Sequence, residues 1–328
     1  MRFLIHNILF LEKNHRLVGG FWVMIFVAYD RINSMRNISI LGYGELGKAI
    51  GSLLNENKIG FSHADAGEKI QNKSTVVFIC VPANFIREAL EFNKNSFDEE
   101  TIFVNCSKGL EQKTGYLPFQ IVDEIIGTKN YNTMVGLSFA KEIIEKQPTL
   151  ITLGYSDKIN SETIKELVRT KYFSVEETPH YKSLELASIM KNAYAILCGF
   201  SDGLNFGTNT KSKIVTLALR EYETLANKME FEYDTLALSG IIGDFVFTCS
   251  TKQSRNYSFG FDLSKMSVED VRKKYEEKTI EGQNTIKSIL ELANKHKIKL
   301  IIAELTNSVI ENGSDFKEDF KNLIGIII

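Results

Sequence analysis

Cysteine is scarce in this 328-residue chain, and so is any excess of charge of one sign. The four cysteines, Cys80, Cys106, Cys198 and Cys249, are scattered through apolar surroundings. They form no C-x-x-C pair and no ligand cluster with the five histidines, so no metal is expected. They read as reduced thiols of a cytoplasmic protein. The formal net charge is −2, which gives no global basic field and argues against a nucleic-acid partner. An integral membrane span is not expected either. The run "LVGGFWVMIFVAYD" holds about a dozen apolar residues, short of the ~20 that a spanning helix needs.

What the chain does have is a globular composition, 44% hydrophobic and 24% charged, and enough length for two domains. Residues 1–34 differ from the rest of the chain. Their apolar run comes late and ends in "YDRINS", without the small-residue cleavage site of a signal peptide. Met35 stands directly before a strand pattern, so the expectation is a working start at Met35 with residues 1–34 as an upstream extension. A peripheral membrane contact through residues 21–29 is the alternative.

"NISILGYGELGKAIGSLLNEN" joins a short apolar run to a helix pattern through G-x-G-x-x-G. Gly42 permits the tight turn, Gly44 lets the backbone approach a pyrophosphate, and Gly47 lets helix pack on strand. The free N–H groups of the helix start then face the phosphates. "IGFSHAD", "STVVFICVP" and "TIFVNCSKG" come next as strand candidates, with "FIREALEFN" as a helix between the last two. That alternation predicts a parallel, doubly wound sheet with ligands at its carboxyl edge, where Val81-Pro82 and Lys108-Gly109 fall. Asp65 is a candidate for the ribose hydroxyls, being about 20 residues past the glycines; a turn aspartate in "HADAG" is the equal alternative. With no Arg or Lys directly after that strand, NAD is slightly favoured over NADP.

Beyond Pro179 the strand signals stop. "ELASIMKNAYAILCGFSDGLNFG" carries Leu186, Ile189, Met190, Ala193, Ile196 and Leu197 at helical spacing, an apolar stripe with Lys191 and Asn192 at its edge. A lysine in such a helix either faces solvent or is kept inside for chemistry. A second helix is expected to begin near Lys211. "LSGIIGDFVFTCSTKQSRNYSFG" adds a glycine-flanked acid, Asp244, and then Ser254, Arg255 and Asn256, expected in a loop. Arg255 can fork onto a phosphate and Asn256 can donate from its amide.

From Met35 onward the chain resembles the bacterial-type NAD(P)-dependent glycerol-3-phosphate dehydrogenases. The resemblance rests on "GYGELG", "VNCSKGLE", "VGLSFAKEI", "ELASIMKNAYAILCGFSDGLNFGTN", "LSGIIGDFVFTCS", "SRNYSFG" and "IEGQNT", in the family's order over nearly all of residues 35–285. It implies that Lys191 is the catalytic lysine, the proton acceptor when glycerol 3-phosphate is oxidised, with Asn192 and Asp244 lining the same pocket. Ser254, Arg255 and Asn256 match the family's substrate-binding S-R-N, with Arg255 also near the cofactor. Lys108 matches a lysine that touches both ligands, Gly136 and Ser138 match substrate contacts, and Ala140 a cofactor contact. Glu45 and Leu46 fall where backbone groups meet the cofactor phosphates; Thr279 and Glu281 match distal cofactor contacts. The implied substrates are dihydroxyacetone phosphate and sn-glycerol 3-phosphate, for glycerophospholipid synthesis.

A lysine base fits this chemistry if burial lowers its pKa toward neutrality, although Asp244 works against that. The expected architecture is an α/β Rossmann-type domain over residues 35–178 and an all-α substrate domain over residues 179–328. Between Ile59 and Val81 the chain is shorter than the family's usual segment, which predicts a shortened sheet, with one strand and helix trimmed. There His63 or Asp65 is left to replace the usual cofactor contact. Leu137 stands where the family has proline. "NLIGIII" at the C-terminus either packs on the core or makes an oligomer contact, as in a homodimer. Two other readings are another 6-phosphogluconate or β-hydroxyacid-type dehydrogenase and a non-catalytic dinucleotide-binding regulator.

Overall fold

The computed structural model describes residues 37–136, 139–232, 238–276 and 280–326. The expectations placed on residues 1–34, Ser138 and Thr279 lie outside the described residues. Strand β1 (Ile38–Leu41) is buried along its whole length, as an apolar run covered on both faces should be. It is joined by β2 (Ser62–Ala64), β3 (Val76–Ile79), β4 (Ile102–Asn105), β5 (Tyr131–Gly136), β6 (Thr149–Tyr155) and β7 (Phe173–Thr178). Together they make a seven-stranded sheet in the order β2-β1-β3-β4-β5-β6-β7. Neighbours run parallel except β5 and β6, which are antiparallel.

Side chains alternate between two cores. Ile38, Ile40, Val76, Phe78, Ile102 and Val104 face α1 (Glu45–Glu56) on one side of the sheet. Val77, Ile79 and Phe103 face α2 (Ile86–Phe92) and α3 (Pro118–Ile126) on the opposite side. Helices α4 (Ala140–Ile144) and α5 (Lys158–Val168) complete the first layer through Ile143, Ile164 and Leu167. This is the doubly wound arrangement that the sequence pattern predicts, but the sheet is mixed rather than wholly parallel, because β6 runs against β5. Residues 65–75 form neither helix nor strand, so β2 passes to β3 without a crossover helix, in keeping with the shortened segment.

After β7 the described chain is helical: α6 (Tyr181–Gly203), α7 (Thr208–Lys228), α8 (Asp244–Ser250), α9 (Arg255–Leu263), α10 (Val268–Lys274), α11 (Glu281–Lys295), α12 (Ile301–Asn312) and α13 (Lys317–Ile326). A short π-helical turn, Ser239–Gly243, leads into α8. Two sequence expectations are corrected here. Helix α6 has no polar edge: every residue from Ser183 to Ser201 is buried, because α7, α8, α9, α11 and α12 surround it. Ser254, Arg255 and Asn256 are not in a loop. Ser254 is the N-cap of α9, its hydroxyl accepting from Tyr257 N at 3.3 Å, and the other two begin the helix.

At the C-terminus, Phe320 and Ile324 pack into the helical core while Ile326 stays 74% exposed. Among the described residues, no helix is long and apolar enough to cross a membrane.

Candidate active site

The glycine turn sits where strand order reverses, at the carboxyl ends of β1 and β3, the place where doubly wound sheets bind ligands. Gly42 has φ +92°, and a Cβ there would lie 2.8 Å from Val81 Cγ1. At Gly47 a Cβ would stand 2.1 Å from the Gly42 carbonyl oxygen, so helix and turn approach as closely as only glycine allows. Gly44 caps α1 without a side-chain hydrogen bond, and the space over it is open. Glu45 and Leu46 lie in the first turn, so uncapped N–H groups and the positive end of the helix face outward. That donor set fits a dinucleotide pyrophosphate.

Asp65, just past β2, closes on this turn. Its Oδ1 accepts from Tyr43 N at 2.6 Å, and its own N–H donates to Glu68 Oε2 at 2.9 Å. The Tyr43 ring stacks on His63 with centroids 4.0 Å apart and planes 6° apart. Both residues considered for the ribose end of the cofactor therefore border the glycine turn.

Across the molecule, Lys191 lies in the middle of α6 with its side chain 1% exposed and its amine donating to Asp244 Oδ2 from the start of α8. Burial lowers the ammonium to about 8; Asp244 opposes this, the charge of Lys108 adds to it, and Glu281 opposes it more weakly. Desolvation thus outweighs the partner acid. Asp244 also accepts from the Thr248 hydroxyl at 3.3 Å. Asn192 donates to Glu281 Oε2 at 2.7 Å, and Asn256 Oδ1 accepts from Gly282 N at 2.9 Å. These bonds bring α6, α9 and α11 together beside the lysine. Glu281, matched to a distal cofactor contact, here stands directly on Asn192.

Lys108 is half-buried in the turn after β4 and close enough to act on Lys191. Gly136 ends β5, and Ala140 opens α4 next to it. Arg255 is exposed and lines an open cavity of about 500 Å³ with Lys252, Gln253, Ser258 and Lys274. The described contacts join Lys191, Asn192, Asp244, Asn256 and Glu281 into one cluster, on which the charge of Lys108 acts; Ser254 serves as the helix cap, and Arg255 lines the open cavity instead.

Sequence reading passed over Glu185. It is as buried as Lys191, on the same helix, and burial pushes its carboxyl up to about 7. The signal was available: an acid in an otherwise apolar helix raises the same question as the lysine.

An open glycine turn at a sheet switch point, with a buried lysine–acid pair in an adjoining helical bundle, defines a dinucleotide-dependent oxidoreductase. Family models for the N-terminus and C-terminus of NAD-dependent glycerol-3-phosphate dehydrogenase match residues 61–161 and 181–321. The glycerol-3-phosphate dehydrogenase (NAD(P)+) of Maridesulfovibrio salexigens is 31% identical over 252 residues, 76% of this chain and 76% of that protein. The enzyme of the same name from Ehrlichia canis is 30% identical over 266 residues, covering 80% of this chain and 81% of that one. A solved glycerol-3-phosphate dehydrogenase from Coxiella burnetii shares the fold, with a TM-score of 0.79 at 23% identity over 88% of this chain and 98% of its own. The chain belongs to the NAD-dependent glycerol-3-phosphate dehydrogenase family.

Proposed function

We propose that this protein interconverts dihydroxyacetone phosphate and sn-glycerol 3-phosphate, with Lys191 as the group that takes and returns the hydroxyl proton. The observation that carries this is the amine buried against Asp244 and lowered to about 8. Near neutrality such an amine can hold a proton for the ketone and give it up for the alcohol. When bound at the glycine turn, the nicotinamide dinucleotide supplies the hydride donor or acceptor. Asp244 keeps the lysine pointed inward, and the bond from Asn192 to Glu281 holds the neighbouring amide. Lys108, Arg255 and Asn256 are assigned to the substrate, with Gly136 and Ser138. A phosphate anchored by cations away from the reacting carbon supplies the binding energy that orients it.

Gly42, Gly44, Glu45, Leu46, Gly47, Ala140, Thr279 and Glu281 are assigned to the cofactor, as are Lys108 and Arg255. NAD is favoured over NADP by the carboxylates of Asp65 and Glu68, which would repel a 2′-phosphate at the end of β2. Residues 35–178 act as the dinucleotide domain and 179–328 as the substrate domain. The product alcohol feeds glycerophospholipid synthesis in the cytoplasm, and the exposed Leu323 and Ile326 suit a homodimer contact. The readings as a β-hydroxyacid-type dehydrogenase or a non-catalytic regulator are not favoured. Initial rates of dihydroxyacetone phosphate reduction with NADH and with NADPH test the proposal. Turnover should vanish in Lys191→Ala while dinucleotide still binds; folded wild-type protein that binds dinucleotide without turnover would defeat the reading.

A further inference from the structure

We propose that Glu185 is a positioning residue for this reaction: its carboxylate, acting through Asn105, sets the turn that presents Lys108 to Lys191. The inference rests on the function proposed for this chain. Glu185 is 1% exposed, and its partners all come from the sheet domain. Oε1 accepts from Asn105 Nδ2 at 2.9 Å, at the end of β4, and from the Tyr131 hydroxyl on β5. Oε2 accepts from Phe119 N at 3.3 Å, in the first turn of α3. One side chain of α6 thereby ties three elements of the other domain to the helix that carries Lys191.

Asn105 is the relay. All three partners of Glu185 donate to its carboxyl oxygens, and Asn105 does so by turning its amide nitrogen toward Glu185. Its oxygen then faces the other way and accepts from Ser107 N at 3.0 Å, while Nδ2 also donates to Ser107 O at 3.2 Å. Ser107 is anchored further by its hydroxyl, which donates to Ile79 O at 3.2 Å and to Val81 O. The next residue is Lys108, whose charge helps hold the Lys191 amine down. Three other groups bear on this line: Asp244 on α8 and Glu281 at the start of α11 act on Lys191, and Tyr181 lies near Glu185 on its own helix. A purely structural acid would need no partner leading into the active-site turn. Among the partners of Glu185, the Tyr131 hydroxyl donates to it without continuing toward Lys108, which makes it the natural control.

The test uses the full chain and four variants: Glu185→Leu, Glu185→Gln, Asn105→Leu and Tyr131→Phe. Glu185→Leu and Asn105→Leu should each lower kcat by roughly 10- to 100-fold, the scale of a misplaced catalytic contact. Both should also move the midpoint of the pH profile upward, because Lys108 no longer presses on the Lys191 ammonium. Glu185→Gln still offers Asn105 an oxygen and should recover part of the loss. The Glu185→Leu/Asn105→Leu double variant should be no worse than the poorer single variant, and Tyr131→Phe should stay close to wild type in kcat. Should Glu185→Leu not fold, Asn105→Leu carries the test alone. An unmoved pH midpoint in Asn105→Leu, or a Tyr131→Phe loss as large as its own, would overturn the proposal while leaving the wild-type activity intact. Wild-type protein inert toward dihydroxyacetone phosphate would instead remove the underlying function, and this role with it.

Discussion

The amine of Lys191 and the carboxylate of Asp244, 53 positions apart in sequence, form an ion pair with side chains only 1% and 2% exposed. Burial lowers the lysine to about 8 in spite of this partner. Alcohol oxidation needs the neutral amine, so its rate should climb about tenfold per pH unit below the midpoint and level off above pH 8. Ketone reduction needs the ammonium and should fall over the same range. Asp244→Asn removes the charge that raises the lysine, so the midpoint should move down. Initial-rate profiles in both directions check this; profiles flat across pH 8 would exclude Lys191 as the titrating group. Stability carries the same sign. Between about 8 and the ordinary lysine value of 10.5 the unfolded chain binds more protons. Burial of this lysine therefore costs stability below pH 8, and the cost shrinks as pH rises through that window.

Acid should act on a different pair. Arg87 donates to both oxygens of Glu111, at 2.8 and 3.1 Å, and to Glu124 at 2.7 Å. The Arg87 guanidinium holds the Glu111 carboxyl below its ordinary value of 4.5. The stabilisation is therefore complete above 4.5 and is lost as pH falls through the lower folded value. Arg87→Met keeps the apolar stem but strands the buried carboxylate, and should cost about 2 kcal/mol at neutral pH. Urea melts at pH 7 and pH 3.5 measure it. The gap between variant and wild type should be smaller at the lower pH, since the stabilisation begins to fall below 4.5; an equal gap at both would mean that the ion pair is not the cause.

How much of this was legible beforehand depended on distance along the chain. The glycine turn, β1, β3, β4 and α2 are local patterns, and each lies within the stretch from which it was read. Lys191 stood out as a charge in an apolar helix. Periodicity left its burial open between solvent and an inside position, because the pattern near Leu186 and Ile189 describes one face and cannot report that five other helices cover the rest. Ser254-Arg255-Asn256 is polar and looks like a loop; a serine before a helix pattern is equally a cap, and Tyr257 N decides between them. The partners of Glu185 sit on β4, β5 and α3, and only the tertiary fold could supply them.

The cysteines show the same limit. Scattered in sequence, they meet in space as Cys80 beside Cys106 and Cys198 beside Cys249, all four free. A hydrogen bond donated to its neighbour's sulfur, then burial, raises Cys80 and Cys198 well above the ordinary thiol value. Native protein should therefore resist iodoacetamide at pH 7.5, with all four positions labelled after denaturation. Mass spectrometry of the alkylated peptides reads this directly. Fast labelling of half-buried Cys80 in the native state would contradict it.

Cofactor choice turns on Asp65, which has two tasks that a single substitution can separate. One oxygen holds the glycine turn through Tyr43 N, while its charge, together with that of Glu68, is the one proposed above to meet the ribose end of the cofactor. Asp65→Asn keeps an acceptor for Tyr43 and loses the charge, so the turn should stay intact while repulsion of a 2′-phosphate weakens. Wild type should favour NADH over NADPH by at least about tenfold in kcat/KM, the size expected of one charge contact of roughly 1.4 kcal/mol. In Asp65→Asn with Glu68→Gln the ratio should shrink through better use of NADPH, with NADH little changed. If NADH use collapses instead, the acid matters for the ribose hydroxyls or the turn. If wild type already prefers NADPH, neither carboxylate faces the 2′ position. A lysine would then have to be supplying the phosphate contact, and Lys69 is the nearest in sequence, although its amine here lies 5.3 Å from the centre of the Phe92 ring.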